Sequence, residues 1–407
     1  MARVLDHIVE QHAESAAFLW LLRDRAVEAP HFGPAELSRL EARLEANLDG
    51  LRVAGEAGWE AALAALARHR ESGELFAAAV LALETQSAER TATVVGMAQK
   101  FPDARRGLSG AIGWVAPARL RQVVAEWAES ADPVARHLAV LACSHHRADP
   151  GPRLQRWLGD PATLVRSRAL RLVGELGRSD LRGALGAALA DDQDQGCRTW
   201  AAWSSALVGE PAGVPWLLAW AEADVTAGCP GLEAGGRLGE AGAIRAWIRR
   251  LAAAPEQRRL AVRATAVLAD PVVVPWLIER AREPDLALSA GESITLITGL
   301  DPWQEDLVQP VAAEPPVEPG REEPASEDAG LPRPEPALLA RWWERNSARF
   351  TPGVRHLLGA PVTPDACAGV FGRGRQRQRR AAAYELACLQ PDARLPSWTA
   401  RMRPEAR

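Results

Sequence analysis

The sequence predicts an all-α solenoid of helix pairs, each about thirty residues long, on three observations. First, Trp127, Trp157, Leu185, Trp216, Trp247 and Trp276 recur at that period, each inside a short apolar, helix-favouring run such as GVPWLLAW or IRAWIRRL. Second, a small residue marks the first helix of each pair: Ala78, Gly110, Ala139, Ala169, Ala201, Ala261 and Ala290, with one member skipped near Gly231. Small side chains there let paired helices approach closely. Third, the composition is rich in Ala, Leu, Arg and Glu, and aromatics make up only 5%. The β-branched and aromatic load that strands favour is thin.

The elements follow in order. Residues 1–54 read as a two-helix cap. Leu5, Ile8, Val9, His12, Ala16, Leu19, Leu22 and Ala26 fall at helical spacing, and the helix ends near Ala29-Pro30, since a proline disfavours helix in the residue before it. A second helix carries the seam Leu37, Leu40, Leu44, Leu48 and Leu51. It spans barely two heptads, so it is expected to cover the first repeat within the chain rather than form a dimeric coiled coil. Residues 55–301 form the repeat region. Two units open with Asp132-Pro133 and Asp160-Pro161, an Asp to cap the helix and a Pro for its first turn. Residues 302–336 are crowded with prolines and acids and are expected to be a disordered loop or linker, with too little apolar surface to offset chain entropy. As a loop within a repeat, they would separate a first helix over 287–299 from its partner over 337–350. Residues 337–407 are expected to hold one further repeat-like unit around 376–390 and a loose tail after Pro391.

Charge and cysteine usage narrow the function classes. The formal net charge is −4, so no global basic field draws the chain to nucleic acid. Five scattered cysteines contain no C-x-x-C pair and suit no disulfide framework. Neither a signal peptide nor a membrane-length apolar run is read, and a cytoplasmic location is the simplest expectation. No P-loop, G-x-S-x-G or H-E-x-x-H occurs, so no catalytic residue, metal ligand or cofactor is assigned and no enzyme is expected.

Each candidate site has a plain structural counterpart. The tryptophan ladder could grip a peptide or unpaired bases, but at core phase it reads as packing between repeats. Arg136, Arg166, Arg198 and Arg258 each precede a small residue by three; they could line up phosphates, but read as structural ion pairs. Cys143, His145, His146 and Asp149 are of metal-ligand type but lack a completing cluster, and read as a surface patch at a helix end. The basic run Phe371–Arg380 reads as a solvated turn, with Glu385 and the acidic loop able to neutralise it. The stretch AAFLWLLRDRAVEAPHF is more distinctive, and Trp20, Arg23, Asp24 and Arg25 are expected to contact a partner, together with Trp342 and Trp343.

The Asp-Pro…Arg-x-x-Ala arrangement resembles the HEAT repeat in its short form, across 56–301 and more weakly 376–390. Beyond that, AAFLWLLRDRAVEAPHF, LEANLDGLRVAGEAGWE, GESITLITGLD and LPRPEPALLARWWERNSARFTPGVRHLLG resemble a proteobacterial family of hypothetical proteins with HEAT-like repeats, often encoded near type VI secretion genes. The resemblance implies a non-enzymatic protein-binding scaffold whose client is a type VI effector or spike component. The alternative it leaves open is a nucleic-acid binder of the helical HEAT-repeat DNA glycosylase kind, or more weakly a bilin-handling lyase. HEAT-repeat hydroxylases bind iron through His-Glu pairs, which this sequence lacks.

Overall fold

The computed structural model describes residues 5–309 and 326–402. The chain divides into two compact units. Among the described residues, unit 1 takes 5–28, 32–176 and 397–402; unit 2 takes 29–31, 177–309 and 326–396.

Unit 1 opens with two helices, α1 (Asp6–Ala26) and α2 (Pro34–Ala54). Every leucine of the α2 seam is buried, and α2 packs on α1 and α3 (Glu56–His69), so the seam serves the chain itself. The pairs that follow are α4 (Ser72–Glu84) with α5 (Ala88–Lys100), α6 (Arg105–Trp114) with α7 (Pro117–Ala128), α8 (Pro133–His145) with α9 (Pro152–Leu158), and then α10 (Thr163–Leu176). The first helices α4, α6, α8 and α10 stack in sequence. Every residue of α4 from Leu75 to Leu83 is buried, because α1, α3, α5 and α6 surround it. A helix that is apolar all round has no solvent face to keep polar. Asp132 caps α8 as predicted, its Oδ1 accepting from the Val134 amide at 2.9 Å.

Close approach in this row depends on glycine. A Cβ on Gly107 of α6 would lie 2.0 Å from the Ser72 carbonyl oxygen, a backbone atom that cannot swing aside. Helix propensity alone would make Gly107→Ala stabilising by about 1 kcal/mol. The clash reverses the sign: we expect a net loss of about 1–3 kcal/mol, the usual cost of overpacking, read by urea denaturation. A stabilised variant would show that α4 and α6 can separate freely.

Unit 2 continues the alternation with α11 (Arg182–Asp191), α12 (Gln195–Leu207), α13 (Val214–Ala223), α14 (Pro230–Leu238), α15 (Ala241–Ala253), α16 (Arg258–Leu268), α17 (Val274–Arg280) and α18 (Ala287–Thr298). The member skipped in the small-residue series is Gly231 in α14, whose Cβ would meet the Leu217 carbonyl oxygen at 2.6 Å. Beyond α18 come α19 (Pro336–Asn346), a two-residue hairpin of β1 (His356–Leu357) and β2 (Ala360–Pro361), then α20 (Pro364–Arg373) and α21 (Gln376–Leu389). Leu358 and Gly359 at the hairpin turn both have positive φ, the geometry a two-residue antiparallel connection favours. The described residues form an all-α, HEAT-like repeat architecture with this one small hairpin. No helix among them is long and apolar enough to cross a membrane.

Three expectations need correction. The tryptophan ladder is core at Trp127, Trp157, Leu185 and Trp247 but not at two rungs. Trp216 is 38% exposed beneath the Arg198 guanidinium, and Trp276 is half-buried beneath Arg280. The buried position passes to the next residue, Leu217 and Leu277, because Val214, Leu217 and Ala221 in α13, and Val274 and Leu277 in α17, share the inward face. The Pro/Glu stretch over 302–336 is ordered at both described ends. Val308 and Pro334 form an antiparallel bridge, Leu307 is buried, and Asp328 is buried in ion pairs; residues 310–325 lie outside the described residues. Finally, the segment after Pro391 is not loose through Met402: Leu395 is buried in unit 2, and Ser397–Met402 docks in unit 1.

Candidate functional site

The first-helix face of unit 1 encloses a recess of about 340 Å³. One wall is α1, with Trp20, Arg23 and Asp24. The floor comes from Arg106, Ser109, Gly110 and Gly113 of α6, Leu141, Ser144 and His145 of α8, and Arg168, Arg171 and Glu175 of α10, with Arg147 just beyond α8. Ser397–Arg401 forms the opposite edge. Six arginines and three carboxylates line it.

Glu175, only 2% exposed, is the electrostatic centre. Its carboxylate lies 3.0 Å from Arg168, 3.0 Å from Arg171 and 3.4 Å from Arg147, and accepts a 2.6 Å hydrogen bond from Ser144 Oγ. Burial alone would raise its pKa; the three guanidiniums outweigh that and hold it down at about 2. Burial pulls Arg168 down to about 10, with Arg171 and Arg147 adding repulsion against the attraction of Glu175. His145 shares a 2.9 Å hydrogen bond with Ser109 Oγ, and burial, reinforced by Arg168, lowers its pKa to about 3. The ring is therefore neutral at physiological pH. His146 donates through Nε2 to the Ile112 carbonyl at 2.8 Å. The Cys143–Asp149 cluster is thus not the surface patch its sequence suggests: Cys143 and Ser144 are buried, and His145 turns into the recess. Among the described residues, no group of three or more His, Cys, Asp or Glu is placed to hold a metal ion.

The predicted contact residues divide between the units. Trp20 is 2% exposed and stacks on Phe76 with ring centroids 5.0 Å apart, so its indole is core with one edge on the recess. Arg23 donates to Glu41 at 3.0 Å and to the Thr399 carbonyl at 2.6 Å, and Asp24 pairs with Arg106 at 2.5 Å. Arg25 is exposed on α1. In unit 2, Trp342 is 7% exposed within the α17–α19 core, and Trp343 stacks on Phe350 with centroids 5.5 Å apart. Both rings hold α19 onto the repeats. Of the predicted set, Trp20, Arg23 and Asp24 therefore meet at one recess. Its other participants went unassigned, although Arg168, Arg171 and Glu175 stand three and four residues apart, which puts them on one helical face.

Unit 2 treats the equivalent face differently. There α21 lies over α14, α16 and α18 and leaves a cavity of only about 50 Å³. The basic run is not solvated: Gln376, Arg377, Arg379 and Arg380 are all buried. Arg377 pairs with Glu292 at 2.7 Å and approaches Asp328 at 3.6 Å; Arg380 pairs with Glu233 at 3.2 Å. Arg237 bridges Glu233 at 2.6 Å and Glu385 at 2.7 Å, and Arg355 meets Glu385 at 2.6 Å. Glu385 and the acidic loop do supply neutralising charge, as the sequence suggests, but in the interior.

Three of the four arginines of the repeat pattern engage neighbouring turns, while Arg198 lies over the Trp216 ring with its Nε lacking a hydrogen-bond acceptor among the described residues. Arg136 forms a bidentate pair with Asp160 at 2.7 and 2.9 Å, Arg166 donates to the Asp160 carbonyl at 2.9 Å, and Arg258 lies 3.5 Å from Glu283. These are the turn-bracing contacts expected of such repeats. Burial pushes the thiols of Cys143, Cys229 and Cys367 up to about 11, and that of Cys388 to about 12, so all four are protonated near neutrality.

No curated protein and no solved structure matches the chain. Residues 151–228 match the family model for HEAT repeats, a span that holds Asp160 and Arg166.

Proposed function

We propose that the protein is a non-enzymatic helical-repeat scaffold that binds a protein client through the recess of unit 1. The observation that carries this reading is that an irregular segment of the chain itself already docks along one edge of the recess. Ser397–Met402 is an irregular segment, fixed as a bound peptide would be. Arg23 donates to the Thr399 carbonyl, and the Met402 amide donates to Glu41 at 2.7 Å. Arg401 pairs with Glu45 at 2.8 Å, its guanidinium 4.3 Å from the centroid of the Trp114 ring. Arg23, Glu41, Glu45 and Trp114 thus hold the segment, with Trp20 and Asp24 beside them on the recess lining. The sequence resemblance supports a type VI secretion effector or spike component as the client.

The test is affinity purification of tagged full-length protein from a producing strain, with mass spectrometry of what is retained. Segment and client compete in this reading, so loosening the segment should favour the client. Arg401→Ala removes a half-exposed ion pair and a cation–π contact, together about 1 kcal/mol, and should raise client capture roughly fivefold. Retention of nothing beyond the background of an unrelated tagged protein would end the scaffold reading. Unchanged capture by Arg401→Ala would leave the scaffold but remove the competition.

A further inference from the structure

We propose that the unit 1 recess is an oxyanion site: it takes a carboxylate or phosphate group on the guanidinium of Arg168, flanked by Arg147 and Arg171. This goes beyond the scaffold reading and stands or falls separately from it.

Of the six arginines on the lining, Arg23 and Arg401 are paired with Glu41 and Glu45 behind it and Arg106 with Asp24, so the concentrated positive charge lies at Arg147, Arg168 and Arg171. Asp24 is drawn to the rim by Arg106, and the single carboxylate of Glu175 faces three guanidiniums at once. Guanidiniums gathered this closely repel one another unless negative charge lies among them, and the repulsion is strongest where water is excluded. Arg168 has a side chain only 12% exposed, and its Nη2 is committed to Glu175 at 3.0 Å. Its Nη1 is buried and has no hydrogen-bond acceptor among the described residues. A buried donor left unpaired costs about 1–3 kcal/mol, and an anion oxygen is the acceptor that also answers the charge. The guanidinium fork suits carboxylate and phosphate geometry, where a compact ammonium would act as a point charge.

The surroundings fit an oxyanion better than a cation or an apolar ligand. Neutral His145 and Ser109 offer a polar, uncharged edge beside the arginines. A space of about 340 Å³ is roughly ten times the ~30 Å³ of a water molecule, enough for an anionic group and part of what carries it. Trp20, Trp114 and Trp398 line the same space and would report occupancy. By contrast, the arginines of unit 2 are closed over by Glu233, Glu292 and Glu385, which leave about 50 Å³.

The experiment titrates full-length protein at low ionic strength with two probes, inorganic phosphate and an end-capped tetraglutamate peptide, read by tryptophan fluorescence and calorimetry. Saturable binding is expected, weakened about tenfold or more by Arg168→Met and partly retained by Arg168→Lys. Glu175 keeps Arg147 and Arg171 in the Met variant, so circular dichroism should show unchanged helix content; if it does not, Arg147→Met makes the same charge deletion nearer the rim. Phosphate binding without peptide binding assigns the site to a free oxyanion. Tighter peptide binding assigns it to the acidic side chains of a protein. Saturation by neither probe, or wild-type affinity in both charge-deleted variants, overturns the site. Client capture by the same variants is scored independently, so loss of the oxyanion site with capture intact leaves the scaffold standing.

Discussion

Glu175→Gln should destabilise the protein by about 3–5 kcal/mol, the range found when one member of a buried ion cluster is removed. The substitution keeps the shape but leaves Arg147, Arg168 and Arg171 without the carboxylate they share. An independent route gives a similar size. Glu175 falls from an ordinary value of 4.5 to about 2, and each pKa unit is worth about 1.4 kcal/mol, so its ionised form contributes roughly 3 kcal/mol. The sign follows from the direction of that shift. A carboxylate with a depressed folded pKa contributes stability above its unfolded pKa and loses it as pH falls from about 4.5 toward 2. His145 acts in the same direction at higher pH: its pKa falls from 6.5 to about 3, so acid favours the unfolded chain progressively across that window. Wild-type stability should therefore decline in two overlapping stages below pH 6.5, and Glu175→Gln should lose the lower one. Urea unfolding between pH 7 and pH 3 measures both. The oxyanion site adds a distinctive corollary: phosphate should stabilise Glu175→Gln more than wild type, because the added anion supplies the missing charge. A variant as stable as wild type at pH 7 would show that the three arginines do not depend on Glu175.

Much of this arrangement is legible in the sequence, and the illegible part has a physical reason. Helix pairs, the two opening helices and the small-residue row follow from periodicities within a few turns of chain. The buried Leu37–Leu51 seam and the Asp132 cap are of that local kind. The bidentate Arg136–Asp160 pair is also readable, since it links one repeat to the next turn. Trp216 and Trp276 keep the period but lie off the core phase, because one residue turns a helix by about 100° and a bulky neighbour of the core position repeats at the same interval. The burial of Arg377, Arg379 and Arg380 was not legible at all. A basic run is solvated unless counter-charges arrive; for Arg377 and Arg380 they come from α14, α18 and Asp328, all distant in sequence, while Arg379 donates to the nearby Phe371 carbonyl. The recess has the same character. Its α10 floor can be read from the spacing of Arg168, Arg171 and Glu175, but nothing local brings Ser397–Met402 to Arg23 and Glu41.

The interior network of unit 2 yields the second large effect. Arg237→Met should cost about 3–5 kcal/mol, because Arg237 is buried between two buried carboxylates and touches both. Its loss leaves Glu233 to Arg380 and Glu385 to Arg355, each carboxylate keeping one of two partners. Methionine fills much of the volume and keeps some contact with the Tyr384 ring, 5.8 Å from the native guanidinium, so the deficit is mainly electrostatic. If so, neutralising a stranded carboxylate should recover part of it. The double variant Arg237→Met, Glu385→Gln is expected to be more stable than the sum of the two single changes by about 1–3 kcal/mol, the coupling typical of residues in one ion network. Glu233 supplies a second signature. Burial opposes its ionisation, but Arg237 and Arg380 together hold its pKa below the ordinary 4.5. Its contribution is therefore present above pH 4.5 and is lost as pH falls through the depressed folded value. Without Arg237 the depression shrinks, and that acid loss moves to higher pH. Strict additivity of the two substitutions, with an unshifted acid limb, would mean that α21 is held to α14 by packing alone and that the buried charges merely tolerate one another.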